Sequence, residues 1–208
     1  MKPIKFFFAS ILALTFAACS NTENDDFDNN ASSFESMVST YGIQMATPSK
    51  DISDVPSVTT EEMGSVLEAL RRSGNTAREC ELEISEGFYS NGSDRETVKM
   101  NAGYRAQTNN GAFVGQFDLS VALNFNIDKG SVYYVGTTYS SSTSLFGWEG
   151  YGVSLSTTAD GESVFNSTAY LYFRVSDRDN QLVKVQVVLE GSYNFESGKG
   201  MYHLGLSR

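Results

Sequence analysis

The sequence predicts a mainly β fold: an antiparallel meander of about eight strands, bent into a barrel, half-barrel or sandwich, with one short amphipathic helix (residues 59–73) before the sheet. Three observations predict it. From Glu79 onward apolar residues recur with a period of two, which puts them on one face of a strand. The alternating runs are separated by short clusters rich in Gly, Asn and Asp. Just ahead of them, one stretch carries an apolar stripe at helical spacing.

In chain order, Phe34, Met37, Val38 and Tyr41 fall at helical spacing and predict a short helix ending at Gly42. Pro48 and Pro56 mark an irregular, extended connector. Thr59 followed by Glu62 is a capping-box pattern, in which each side chain satisfies a backbone donor that a helix start leaves open. Met63, Val66, Leu67 and Leu70 form the stripe, Arg71 and Arg72 complement the negative end of the helix dipole, and Gly74 supplies the stop. A helix of about four turns is marginal by itself, so the stripe must dock on something apolar.

The strands come next. Val98, Met100, Ala102, Tyr104 and Ala106 alternate with polar or small residues. The longest run places Phe113, Phe117, Leu119, Val121, Leu123, Phe125 and Ile127 on one face, with Gln116, Asp118, Ser120, Asn124 and Asn126 on the other. Further strands are read at residues 132–139, 145–157, 163–175, 182–195 and 201–206. Their separators, Asn91-Gly92, Asn110-Gly111, Asp128-Lys129-Gly130, Asp160-Gly161, Asp177 to Asn180 and Ser197 to Gly200, suit tight turns. Connections this short make neighbouring strands antiparallel. A run from Phe113 to Asp128 would extend about 50 Å at roughly 3.3 Å per residue, too long for a flat strand in a domain of this size. Gly103, Gly115, Gly136 and Gly191 lie inside strand patterns, where glycine permits bulges and bends.

The N-terminus has a different composition. Lys2 and Lys5 precede an apolar run from Phe6 to Ala18, too short to remain as a membrane span, and small residues lead into Cys19. The tetrad Phe16-Ala17-Ala18-Cys19 resembles the lipobox of bacterial lipoproteins, although that pattern prefers an aliphatic residue where Phe16 stands. The resemblance implies cleavage before Cys19 and acylation of its thiol. Each buried CH₂ of an acyl chain contributes about 0.8 kcal/mol, so several chains anchor firmly. Residues 1–18 then read as a signal peptide, 19–33 as a lipidated acidic tether, and 34–208 as a single β-rich domain. The tether has too few apolar residues to offset the entropy of ordering. An acidic stretch after the acylated cysteine is also similar to the export signal of uncharacterised surface lipoproteins of Bacteroidetes. That likeness implies an outer-membrane address, and exposure at the cell surface, but no activity and no site residues.

The chain of 208 residues carries a net charge of −10, and loss of residues 1–18 removes two lysines and no acid. Such a surface repels nucleic acid and anionic headgroups, which excludes both as partners; the membrane contact expected is the lipid anchor. With Cys19 acylated, Cys80 lacks an intramolecular disulfide partner. It shares a strand side with Leu82 and Ile84, which predicts a buried, inert thiol.

Catalytic signatures are few. His203 is the single histidine, too little for a histidine-based metal site, and no nucleophile elbow, phosphate loop or metal-binding helix motif occurs. Neither a metal nor a cofactor is expected. Asp177-Arg178-Asp179-Asn180 lacks the glycine and distal glutamate of a calcium loop and reads as a hairpin turn. Glu79, Glu81 and Glu83 share a strand face; a carboxylate hydrolase could use Glu81 and Glu83, and the competing reading is a solvated face opposite Lys99. The most suggestive segment is Phe146-Gly147-Trp148-Glu149-Gly150-Tyr151-Gly152, where glycines leave the rings approachable. Phe146, Trp148 and Tyr151, extended by Tyr133 and Tyr139, are the candidate ligand-binding residues, against a competing reading of packing at a bend. The function expected is a non-enzymatic envelope lipoprotein that binds a small molecule, glycan or envelope partner. The alternatives are the hydrolase and a structural subunit of an envelope assembly.

Overall fold

The computed structural model describes residues 34–47, 54–73, 76–85, 94–128, 131–157 and 162–207. The signal peptide, the tether, Cys19, the Gly74 stop and the turns at Asn91-Gly92 and Asp160-Gly161 lie outside the described residues.

Among the described residues two helices, α1 (Phe34–Tyr41) and α2 (Thr60–Ser73), accompany eleven strands. Three are two-residue strands: β1 (Gln44–Met45), β2 (Ser57–Val58) and β3 (Arg78–Glu79). The others are β4 (Glu81–Ser85), β5 (Asp94–Gln107), β6 (Phe113–Asp128), β7 (Ser131–Ser141), β8 (Gly147–Thr157), β9 (Glu162–Val175), β10 (Gln181–Asn194) and β11 (Lys199–Leu206). The predicted meander is β4 through β11, each strand antiparallel to the next except at one place.

That place divides the meander into two sheets. One has the order β4-β5-β6-β7; in the other β8, β9, β10 and β11 come in turn, with β3 on β11, β1 on β10, and β2 parallel to the end of β9. The chain steps from the second sheet to the first at Cys80, whose N–H still donates to the Gly200 carbonyl of β11 at 2.9 Å. The chain entering β4 thus meets the last strand, β11. No ladder joins β7 to β8 among the described residues, so the sheet is not closed into a barrel; of the three predicted forms, the half-barrel or sandwich describes it.

Helix α2 fills the space between the sheets. Its capping box forms as predicted: the Thr59 N–H donates to Glu62 Oε2 at 2.7 Å, and the Glu62 N–H donates to Thr59 Oγ1 at 3.2 Å. A second cap comes from the β9–β10 turn, where the Asp177 carboxylate accepts from the Thr60 N–H at 3.0 Å and hydroxyl at 2.8 Å. Met63, Val66, Leu67 and Leu70 are all buried, each worth about 1.5–3 kcal/mol relative to exposure. They join Val98, Met100 and Ala102 of β5, Leu119 and Val121 of β6, and Val183 and Val185 of β10 in one core. Tyr104 of β5 donates its hydroxyl to the Leu204 carbonyl of β11 at 2.8 Å, tying the sheets together across that core.

Local irregularities bend the long strands. Between Ala106 and Gln107 the β5–β6 register shifts, beside Gly115; the β6–β7 register shifts at Asn124/Phe125, beside Gly136. One extra residue reverses the face of every residue beyond it on the strand. Phe113, expected on the interior face, is therefore outside the core at 59% exposure, beneath the Arg105 guanidinium. The Asp177–Asn180 segment is the expected hairpin turn. Asp179 and Asn180 both have positive φ, and the Gln181 N–H bonds back to the Arg178 carbonyl, the primed-turn geometry that matches strand twist.

Candidate functional site

The aromatic-glycine segment begins β8, beside the place where the sheets part. Trp148 lies opposite Leu171 of β9 in the ladder and so faces the interior, half-buried against the core. Gly147 lies opposite Tyr172 and faces outward, where a Cβ would sit 2.9 Å from Val55 Cγ2. Glycine therefore lets the connector before β2 lie directly on the strand. Val55, Tyr172 and Leu182 form a small second core under that connector. Burial, aided by a hydrogen bond to Glu149, pushes the Tyr172 hydroxyl up to about 12.

Between the connector, the β7–β8 loop and the start of β8 lies an open cleft of about 470 Å³. Asp54, Val55 and Pro56 form one wall, Thr143 and Ser144 another, and Phe146 to Glu149 the floor. This volume falls within the range of small-molecule sites, which combine an apolar floor with a few placed polar groups. Two carboxylates and two hydroxyls supply those groups here.

The five predicted ligand residues divide. Phe146 and Trp148 line the cleft together. Phe146 is also a core plug, edge-on to Phe117 at 5.1 Å and tilted against Phe173 at 5.7 Å, so its ring is committed to packing. Trp148 meets the Tyr139 ring edge-on at 5.8 Å, and its indole Nε1 is buried without a hydrogen-bond partner among the described residues. Tyr139 stands behind Trp148, its hydroxyl hydrogen-bonded to Ser167 Oγ, which in turn donates to the Gly152 carbonyl at 2.9 Å. Tyr133 stands apart: its neighbour Tyr134 faces inward onto Phe125, and Tyr133 faces outward at 44% exposure. The Tyr151 side chain lies outside the described residues, and its backbone sits at the register shift between Gly150 and Gly152.

Glu79 and Glu81 are exposed, as a solvated face would place them. Glu81 lies opposite Lys99 and accepts from Asn101 Nδ2 at 3.3 Å. The Glu83 side chain lies outside the described residues. His203 is exposed and opposite Glu190. No group of three metal-ligating side chains gathers among the described residues. Cys80, expected to be buried, is half-buried, and burial pushes its thiol up to about 12.

Sequence reasoning missed Asp54, Val55, Pro56, Thr143 and Ser144. They belong to an irregular connector and a loop, where no periodicity marks a face; only the fold of the connector back over β8 brings them to Trp148. Comparison with curated proteins and with solved structures gives no match. A family match covers residues 25–206, nearly the whole chain, and the chain belongs to that family, described as Domain of unknown function (DUF5033).

Proposed function

We propose that this chain is an envelope lipoprotein, anchored in the outer membrane through Cys19 and facing outward, whose β domain binds a small neutral glycan in the Trp148 cleft. The observation that carries the reading is the composition of the cleft: an indole and apolar floor beside Asp54, Glu149, Thr143 and Ser144. Sugars offer both C–H faces for aromatic contact and hydroxyls for carboxylate and hydroxyl partners. Two acids in the lining, on a chain of net charge −10, disfavour an anionic ligand. Carboxylate hydrolysis finds less support, because Glu81 lies opposite Lys99.

Trp148 is the single tryptophan, so its fluorescence reports the cleft directly. Titration with a panel of neutral mono- and oligosaccharides should change its emission for at least one ligand. Asp54→Asn and Glu149→Gln should each weaken that response about tenfold, the loss of one hydrogen bond to a charged group. A silent panel, or a response unchanged in both variants, overturns the glycan reading. The anchor is tested separately: Cys19→Ala should move the protein out of the membrane fraction, and continued fatty-acid labelling of that variant would refute acylation at Cys19.

A further inference from the structure

At the end of the strands opposite the Trp148 cleft, a carboxylate stands on a face that is otherwise apolar. The interior face of β5 runs through Val98, Met100, Ala102, Tyr104 and Ala106, all buried. By the same alternation Glu96 belongs to that face, and it lies opposite the buried Phe125 in the ladder. Its side chain is half-buried there. No basic side chain among the described residues pairs with it, and burial holds its carboxyl above the ordinary range. A carboxylate placed on an apolar face is costly unless a cation meets it.

The neighbouring side chains are aromatic. Tyr134 of β7 meets Phe125 edge-on at 5.9 Å, and Phe195, just after β10, meets it edge-on at 4.9 Å. Tyr193 packs edge-on to Phe195 at 5.0 Å and lies close enough to Glu96 to feel its charge. Tyr193 is 1% exposed, and its hydroxyl is buried without a hydrogen-bond partner among the described residues. Orphaned hydroxyls at that depth are uncommon in folded proteins. Rings set edge to face, together with one carboxylate, form the set of groups that holds an ammonium: ring faces are electronegative, and the acid balances the charge.

We propose that Glu96, Tyr134, Tyr193 and Phe195 form a second binding site, for the protonated amine of an alkylammonium ligand, independent of the Trp148 cleft. Glu96 supplies the counter-charge, the rings of Tyr134 and Phe195 flank the carbon atoms beside the nitrogen, and the Tyr193 oxygen accepts one N–H.

The test uses butylammonium chloride as probe, with butanol as its neutral isostere, monitored by NMR on the mature protein. Butylammonium should perturb the resonances of Glu96, Tyr134 and Phe195, and butanol should bind at least tenfold more weakly. Glu96→Gln should weaken butylammonium at least tenfold, and Trp148→Phe should leave it unchanged. Equal affinity for butanol, an unaffected Glu96→Gln variant, or perturbations centred on Trp148 would each overturn the proposal. Thermal melting of Glu96→Gln supplies a check independent of ligand. Removing a charge that no described basic residue pairs should hold or raise Tm, and a marked fall would reveal a structural partner and refute the site.

Discussion

The ring of Tyr139 lies directly on the backbone of Gly150, across the β7–β8 junction, which no ladder closes among the described residues. A Cβ at Gly150 would stand 1.7 Å from Tyr139 Cε2, so only glycine admits the ring in this position. β7 and β8 are therefore held together by a side chain: Tyr139 covers Gly150, abuts Trp148 and bonds to Ser167 of β9.

Gly150→Ala should displace Tyr139 and destabilise the domain by about 1–3 kcal/mol, the scale of an overpacked core site. Tyr139→Phe keeps the ring and loses only the Ser167 bond, at about 0.5–1.5 kcal/mol. Urea denaturation of both variants checks the order of the two effects. A neutral Gly150→Ala would mean that the junction yields without cost.

Asp177→Ala should cost about 0.5–2 kcal/mol, because it strips the start of α2 of a cap supplied by a turn 117 residues downstream. Thr59→Ala removes the capping box at the same helix end and belongs to the same range. Since α2 packs within the core, circular dichroism and tyrosine fluorescence should melt together in each variant. Loss of helical signal ahead of the tertiary signal would contradict that docking.

Glu68 governs a small acid-sensitive component of stability. Hydrogen bonding from Arg71 lowers its carboxyl to about 2; burial opposes the shift, and Arg72 and Tyr41 reinforce it. A carboxyl depressed from 4.5 to about 2 in the folded state stabilises above 4.5, and that contribution is lost as pH falls from 4.5 toward about 2. Both arginines are largely exposed, so solvent screening limits the effect to about 1 kcal/mol or less. Glu68→Gln should lower Tm at pH 7 and give a flatter dependence between pH 4.5 and 2 than wild type. Parallel curves for the two proteins would remove Glu68 from this role.

Cys80 should resist alkylation by iodoacetamide at pH 8 in the folded protein and react once urea unfolds it, since burial holds the thiol at about 12. Mass spectrometry of the labelled chain provides the readout. Prompt modification under native conditions would show that the strand crossing at Cys80 opens readily.

Much of this architecture is legible in the residues alone, and the reasons are local. Period-two alternation marks β5 to β11, turn residues mark their ends, and Thr59 with Glu62 marks the start of α2. Even the expected placement of Glu81 opposite Lys99 is found. What alternation leaves open is which edges meet. The pairing of β3 with β11 and the open junction between β7 and β8 depend on contacts distant in sequence. A single inserted residue sends Phe113 outward, although alternation alone assigns it to the core. The site divides in the same way: Phe146 and Trp148 stand out as aromatics among glycines, while the opposite wall, Asp54 to Pro56, carries no pattern that a linear reading detects.

The meeting of β3 with β11 also bears on how the domain acquires its structure. Arg78 and Glu79 find their partners only at Tyr202 and Met201, more than a hundred positions downstream. A polypeptide made from its N-terminus must grow by more than a hundred residues after Glu79 before those two strands can pair. Until then the apolar side of α2 lacks part of its cover, and the edge beginning at Arg78 has nothing to pair with. Contacts of such long sequence separation slow folding, because loop entropy is lost before they form. Nascent or truncated chains ending before Lys199 should therefore be the vulnerable species, prone to self-association through that edge, and the last strand acts as the latch that ends this exposure.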